Sequence, residues 1–216
     1  MDALVAPHES FSPTRSARAA GLATIDDALE SEQQKRIADF LAAPGWQFGW
    51  KSDPKKDPYS FWHKHFAGNV LPDHYAKGGK EKPYDCAEEL KQTAPILHEL
   101  WTDLAKQALP GHTLTRCYAN GAPHGSEGSI HTDSVSDQSR TVIYYPHTKW
   151  HPNWGGETLF FNKEQTDVVA CVYPRPNRPL VFSGAIPHVE GMNARVSRTT
   201  AQKLISNSHS KFCSLT

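Results

Sequence analysis

Two histidines and one aspartate are spaced so that they can meet a single metal ion. In Ser129-Ile130-His131-Thr132-Asp133 the imidazole and the carboxylate are one residue apart. On an extended chain, side chains two positions apart leave the same face, so both donors can reach one ion. A third donor must come from a distant segment that folds back alongside. His188 has the right setting, because it follows the apolar run Leu180-Val181-Phe182 and the turn-forming Ser183-Gly184. Two imidazoles and a carboxylate take one face of an octahedron and leave three positions open. That arrangement suits iron(II) together with an oxidant and a chelating cosubstrate. An H-x-D triplet also arises by chance, and an isolated histidine is more often packed or solvated than ligating. His63, His65, His147 and His151 lie in aromatic or loop-like surroundings and read as hydrogen-bonded or solvated histidines.

For the three donors to converge, the second half of the chain must be β structure. After Pro110-Gly111, the runs Thr113–Tyr118, Thr141–Tyr145, Thr158–Phe161, Val168–Tyr173 and Leu180–Phe182 are rich in β-branched and aromatic residues, and Gly, Pro, Asn and Asp separate them. Short strands at this spacing predict a barrel or sandwich. The first half differs. Residues 1–23 are rich in Ser, Ala and Pro without periodicity and read as a disordered leader. Thr24 is expected to cap a helix with Asp26 and Asp27 in its first turn. Ala28, Leu29, Ile37, Phe40 and Leu41 form its apolar stripe, which ends before Pro44-Gly45. Trp46–Trp50 alternates like a strand, Lys51–Pro58 is a charged loop, and Tyr59–Phe66 is aromatic. A second helical zone over Cys86–Leu109 buries Leu90, Ile96, Leu97, Leu100, Trp101 and Leu104, with Pro95 breaking or kinking it.

Helices first and strands afterwards predict a mainly β (α+β) fold, a double-stranded β-helix or jelly roll with N-terminal helices packed outside it. The expected organisation is a leader over 1–23 and one domain over 24–216. Within that domain, 24–110 would be helical support and 111–216 the β-barrel core.

Composition narrows the partners. Lys+Arg and Asp+Glu both number 23, so the chain has little non-specific attraction for nucleic acid or an acidic membrane. A small molecule or a specific protein is the expected partner. No apolar run reaches the roughly 18 residues of a membrane span, and Met1–Ala20 lacks the apolar stretch of a secretion signal. Cys86, Cys117, Cys171 and Cys213 form no CxxC pair, which argues against a zinc knuckle and for reduced thiols in the cytoplasm. Cys117 and Cys171 lie in apolar runs and are expected to be buried. The oligomeric state is not legible.

The residues between the ligands carry a more specific pattern. Thr141-Val142-Ile143-Tyr144-Tyr145 leads to Trp150, then Trp154-Gly155-Gly156-Glu157-Thr158-Leu159-Phe160-Phe161, Val172-Tyr173-Pro174 and Leu180–Gly184 before His188. In this order the segment from Thr115 to about Leu204 resembles the prolyl-4-hydroxylase-like branch of the Fe(II)/2-oxoglutarate-dependent dioxygenases. Arg116-Cys117-Tyr118-Ala119-Asn120-Gly121 is similar to the strand and turn that open the family's barrel.

The resemblance implies a jelly-roll, cupin-like core that uses Fe(II), 2-oxoglutarate and O2, with ascorbate as an accessory reductant and succinate and CO2 as products. It makes His131, Asp133 and His188 the metal ligands, has Tyr145 donate to the distal carboxylate of 2-oxoglutarate, and puts Tyr118 nearby. The basic anchor for that carboxylate is expected after the distal histidine. Arg198 has the family's usual separation from His188, and Arg195-Val196-Ser197 is the competing local pattern. Because Asp133 keeps its carboxylate, hydroxylation of an unactivated C–H bond is the default outcome, with desaturation and epoxidation as variants. Size and neutrality favour a free amino acid or other small metabolite as substrate. A protein or peptide prolyl hydroxylase is the alternative within the class, and a non-oxidative cupin-like protein that binds metal or sugar is the alternative outside it. The histidines and lysine of Phe61–Phe66 could meet an anionic group at the mouth of the site.

Overall fold

The structure, a computed structural model, describes residues 21–51, 57–69, 84–123, 125–126, 128–191 and, as backbone only, 198–208. Among these residues there are two antiparallel sheets and three α-helices. The larger sheet contains β1 (Ala23–Thr24), β2 (Gln47–Trp50), β3 (Phe61–Gly68), β4 (His112–Ala122), β5 (Ser139–Tyr145), β8 (Arg178–Ser183) and β10 (Arg198–Ser208), in the order β1-β8-β5-β10-β4-β3-β2. The smaller one contains β6 (Thr158–Phe161), β7 (Val168–Val172) and β9 (His188–Glu190), in the order β7-β6-β9.

Strand alternation assigns the two faces of the larger sheet. Val142 and Tyr144 of β5, Val181 of β8, and Leu114, Cys117 and Ala119 of β4 join one apolar cluster. Its other wall is helical: Ile37 and Leu41 of α1 (Ser31–Ala42), Leu90 of α2 (Ala87–Thr93), and Leu97, Leu100, Trp101 and Leu104 of α3 (Pro95–Ala108). The neighbouring positions turn the opposite way. Ile143 and Tyr145 of β5 and Leu180 and Phe182 of β8 pack with Phe160 of β6 and Val172 of β7. The smaller sheet therefore covers the inner face at its β5/β8 end, with Phe160 and Phe182 edge-on at 4.9 Å. On the same face, β3 and β4 carry polar side chains. Tyr118 and Ile143 both stand opposite Lys203 of the intervening β10, and His65 stands opposite Tyr118.

Pro95 separates two helices and occupies the first turn of α3, where its missing N–H is tolerated. The expected helix cap at Thr24 is not found. Thr24 lies in β1 opposite Leu180, and α1 starts at Ser31, so Ala28 and Leu29 are outside it. Tertiary contacts outcompete the helical turn. Asp26 pairs with Arg178 and Arg175, and the Ala28 N–H donates to the Asn177 carbonyl at 3.1 Å. The Asn177 amide donates to the Leu29 carbonyl at 2.6 Å. Of the leader, residues 1–20 lie outside the described residues, while Leu22 is buried and Ala23 pairs with Val181. Cys86 and Cys117 are buried, but Cys171 is exposed. Val168–Val172 is apolar throughout, and it is Val172 that turns inward. No helix among the described residues is long and apolar enough to cross a membrane.

Candidate metal centre

The segment around His131 and Asp133 is held without being a regular strand. His131 forms an isolated antiparallel bridge with His188, the two residues exchanging backbone hydrogen bonds of 3.0 and 2.9 Å. Directly opposed residues of an antiparallel pair project on the same side, so the imidazole rings face each other with centroids 4.5 Å apart. Two residues on, the N–H groups of Asp133 and Ser134 both donate to the Gly184 carbonyl, at 2.8 and 3.0 Å. A Cβ on Gly184 would come within 3.2 Å of Ser134 Cβ and 3.3 Å of Ser139 Oγ, so the two serine side chains would have to give by a few tenths of an ångström to admit one.

Hydrogen bonding orients both rings. His131 Nδ1–H donates to the Ser129 carbonyl and His188 Nδ1–H to the Ile186 carbonyl, each at 2.9 Å. A carbonyl only accepts, so Nδ1 carries the proton in each ring and Nε2 presents its lone pair. The Nε2 atoms lie 3.8 Å (His131) and 3.5 Å (His188) from the Asp133 carboxylate oxygens. One donor atom from each of the three residues falls within 4.8 Å of the others. Metal bonds of about 2.1 Å at right angles put neighbouring donors about 3 Å apart, so small side-chain rotations close the set. Imidazole, imidazole and carboxylate fit a borderline divalent ion such as iron(II).

The supports of this group were less visible in the sequence. Thr141, on the inner face of β5, donates its hydroxyl to Asp133 Oδ2 at 2.7 Å. Asp57 is buried, and its carboxylate accepts the Ser129 N–H at 2.9 Å. The Ser129 peptide is thus gripped at its N–H by Asp57 and at its carbonyl by His131. Nothing in the sequence marked Asp57, which closes a charged loop. Thr141 could have been flagged only as an inward polar position on a strand otherwise buried.

Tyr145 is fully buried on the inner face, its hydroxyl 2.8 Å from that of Thr158. Gly155 and Gly156, with φ of 67° and 82°, turn the chain into β6 and deliver Thr158 to that contact. Tyr144 faces outward and donates to Asn177 Oδ1 at 3.0 Å. Tyr118 is buried on the inner face of β4. In backbone register Arg198 stands opposite Ala122, two residues beyond Asn120. Arg195 lies outside the described residues. His147 and His151 serve the loop structurally: His147 Nε2 bonds the Pro174 carbonyl at 2.8 Å, and His151 Nδ1 accepts the Asn153 N–H at 3.1 Å.

The Phe61–Phe66 segment divides by face. Lys64 is turned to the helices, its ammonium donating to the carbonyls of Ala43 and Pro44 at 3.2 and 3.0 Å, and so is not free to meet an anion at the inner face. His63 and His65 stand opposite Asn120 and Tyr118 on the inner face. Burial pushes the imidazolium pKa down for both, to about 4 for His63, so both are neutral near pH 7.

No family model matches the chain, and neither does any curated protein. Solved structures do match. A 2OG-Fe(II) oxygenase-family oxidoreductase from Burkholderia pseudomallei superposes with a TM-score of 0.65 over 91% of this chain and 91% of that one, at 16% identity. A prolyl-4-hydroxylase from Pseudomonas putida gives 0.58 over 90% and 96%, at 14% identity. HygX from Streptomyces hygroscopicus, solved with nickel and 2-oxoglutarate bound, gives 0.58 over 91% and 85%, at 10% identity. At these identities the likeness is one of fold. This chain shares the fold of these structures, and it brings a His-Asp-His group together within that fold.

Proposed function

We propose that the chain is an Fe(II)- and 2-oxoglutarate-dependent dioxygenase that hydroxylates an unactivated C–H bond of a small molecule in the cytoplasm, releasing succinate and CO2. The observation that carries this reading is the convergence of two pre-oriented Nε2 atoms and the Asp133 carboxylate within 4.8 Å, in a fold shared with 2OG-Fe(II) oxygenases. The two facing sheets are read as a double-stranded β-helix, and residues 24–216 as one domain with its helices as outer support.

His131, Asp133 and His188 would hold the iron, which when bound supplies the redox chemistry coupling decarboxylation of 2-oxoglutarate to oxidation of the substrate. Tyr145 would donate to the distal carboxylate of 2-oxoglutarate, exchanging its Thr158 partner for a charge-assisted one. Arg198 would supply the positive fork for the same carboxylate, with Arg195 as the competing anchor, and Tyr118 would line the cosubstrate. Phe160 and Phe182 pack against the buried His188 ring, with centroids 5.9 and 4.8 Å away. They keep water from that side of the centre and limit its side reactions.

The test is succinate release from 2-oxoglutarate by the iron(II)-loaded protein, driven by a panel of amino acids, other small metabolites and proline-containing peptides. Release stimulated by a small metabolite, with a product 16 mass units heavier, supports the reading. Stimulation by peptides alone makes the protein a peptide prolyl hydroxylase. Iron binding with neither turnover nor 2-oxoglutarate binding returns it to the non-oxidative alternative.

A further inference from the structure

The inner face of β3 and β4 carries a set of polar groups that the metal centre does not use. Arg116 lies with its guanidinium carbon 4.7 Å from the Tyr118 ring centre. Its Nε is buried, and among the described residues it has neither a hydrogen-bond partner nor a carboxylate paired with it. Glu89 of α2, close enough to act on His65, has Oε2 engaged by the Gly68 N–H at 3.0 Å and the Tyr84 hydroxyl at 2.8 Å. A guanidinium with a desolvated Nε–H donor lying over a ring face is poised for an anion.

His63 is a second, independent observation. Its side chain is 4% exposed, its ring centre is 5.1 Å from that of Tyr118, and it stacks flat on Trp50 at 3.8 Å. Its Nδ1 is 2.9 Å from Asn120 Oδ1. Because that oxygen only accepts, Nδ1 holds the proton and Nε2 presents a lone pair. Nε2 is buried and has no partner among the described residues, a state that a ligand donor would relieve.

We propose that Arg116 and His63, grouped around Tyr118, bind the substrate, and that this substrate is a small carboxylic acid that also carries a hydrogen-bond donor, as amino and hydroxy acids do. Arg116 receives the carboxylate, His63 Nε2 accepts from the donor, and Trp50 holds the His63 ring in place. The substrate class rests on the oxygenase reading; the binding site itself does not.

The test uses the full chain loaded with zinc(II) and 2-oxoglutarate, so that the metal positions and cosubstrate site are filled. Three probes on one three-carbon skeleton are titrated at pH 7: 3-hydroxypropionate, propionate and 3-hydroxypropionamide. Binding is followed by NMR at the Arg116 Nε–H and the His63 ring. The hydroxy acid should bind at least about tenfold more tightly than its amide, as a charge-assisted contact requires, and more tightly than propionate. Arg116→Gln should abolish the first preference and His63→Phe the second, with 2-oxoglutarate binding unchanged in both. Should Arg116→Gln not fold, Arg116→Lys retains the charge without the fork and should reduce the first preference. Equal binding of the three probes, or no binding, overturns the proposal. A tenfold loss of 2-oxoglutarate affinity in Arg116→Gln also overturns it, because Arg116 would then serve the cosubstrate. Metal and 2-oxoglutarate binding, measured separately by calorimetry, distinguish the two readings: the same probe preferences in a protein that binds neither would leave this site standing and remove the oxygenase.

Discussion

Replacing Thr141 by valine removes the hydroxyl that donates to Asp133 Oδ2 across 2.7 Å and changes little else. Thr141 is fully buried and valine fills the same volume, so β5 should keep its packing. A hydrogen bond to a charged acceptor contributes about 1.5–3 kcal/mol, and each 1.4 kcal/mol is a factor of ten in affinity. The carboxylate would also lose its fixed orientation toward the Nε2 atoms of His131 and His188. Together these predict a fall of about tenfold to a hundredfold in metal affinity, the range expected when a partner of a metal ligand is removed. Calorimetric titration with nickel(II) or manganese(II) measures it directly, and the melting temperature of the metal-free variants reports any loss of fold. Thr141→Ser restores the hydroxyl and should recover most of the affinity. A folded Thr141→Val protein that binds metal within twofold of wild type would refute the orienting role of this contact.

Three further perturbations probe other parts of the account. Gly155 combines φ of 67° with ψ of −150°, a region open essentially only to glycine, so Gly155→Ala should cost about 1–3 kcal/mol. Thermal melts should show it as a drop of ~2–4 °C per kcal/mol. Tyr145→Phe leaves the Thr158 hydroxyl without its 2.8 Å partner, costing about 1 kcal/mol. It should also weaken 2-oxoglutarate binding to the metal-loaded protein about tenfold, and an unchanged affinity would remove Tyr145 from the cosubstrate site. Burial lowers the His63 pKa from 6.5 to about 4, so the unfolded chain binds the proton more readily. The stability due to neutral His63 is full above pH 6.5 and is lost as pH falls toward 4, on the order of 3 kcal/mol at most. Denaturant melts of metal-free wild type should therefore decline more steeply over that window than those of His63→Phe; parallel curves would contradict the assignment.

Where local pattern and tertiary demand agree, the sequence was readable. Thr158–Phe161 forms β6 with those bounds. The alternation of the Thr141–Tyr145 run is legible, and in β5 it turns Tyr144 to the helices and Tyr145 to the inner face. Pro95 marked a helix boundary because its ring and missing N–H act locally. Thr24 misled because the groups that override its capping, Asn177, Arg175 and Arg178, lie some 150 positions away in sequence. Cys171 misled because an unbroken apolar run does not reveal which face is covered. His131 and Asp133 lie outside any regular strand, yet one antiparallel bridge and the Gly184 carbonyl suffice to aim both side chains. Arg116 and Asp57 gave no local signal of burial: the one lies in a strand and the other beside a proline in a charged loop, and only the folded structure shows one buried donor and one buried clamp.

The most direct test of the oxygenase reading is an anaerobic titration of the protein with iron(II) followed by 2-oxoglutarate, watched for the weak visible charge-transfer band of the iron–2-oxoglutarate chelate. The band should saturate at one equivalent of each and be lost in His131→Ala and Asp133→Ala. Iron shown to be bound without that band, or a band that survives either substitution at full intensity, would contradict that reading.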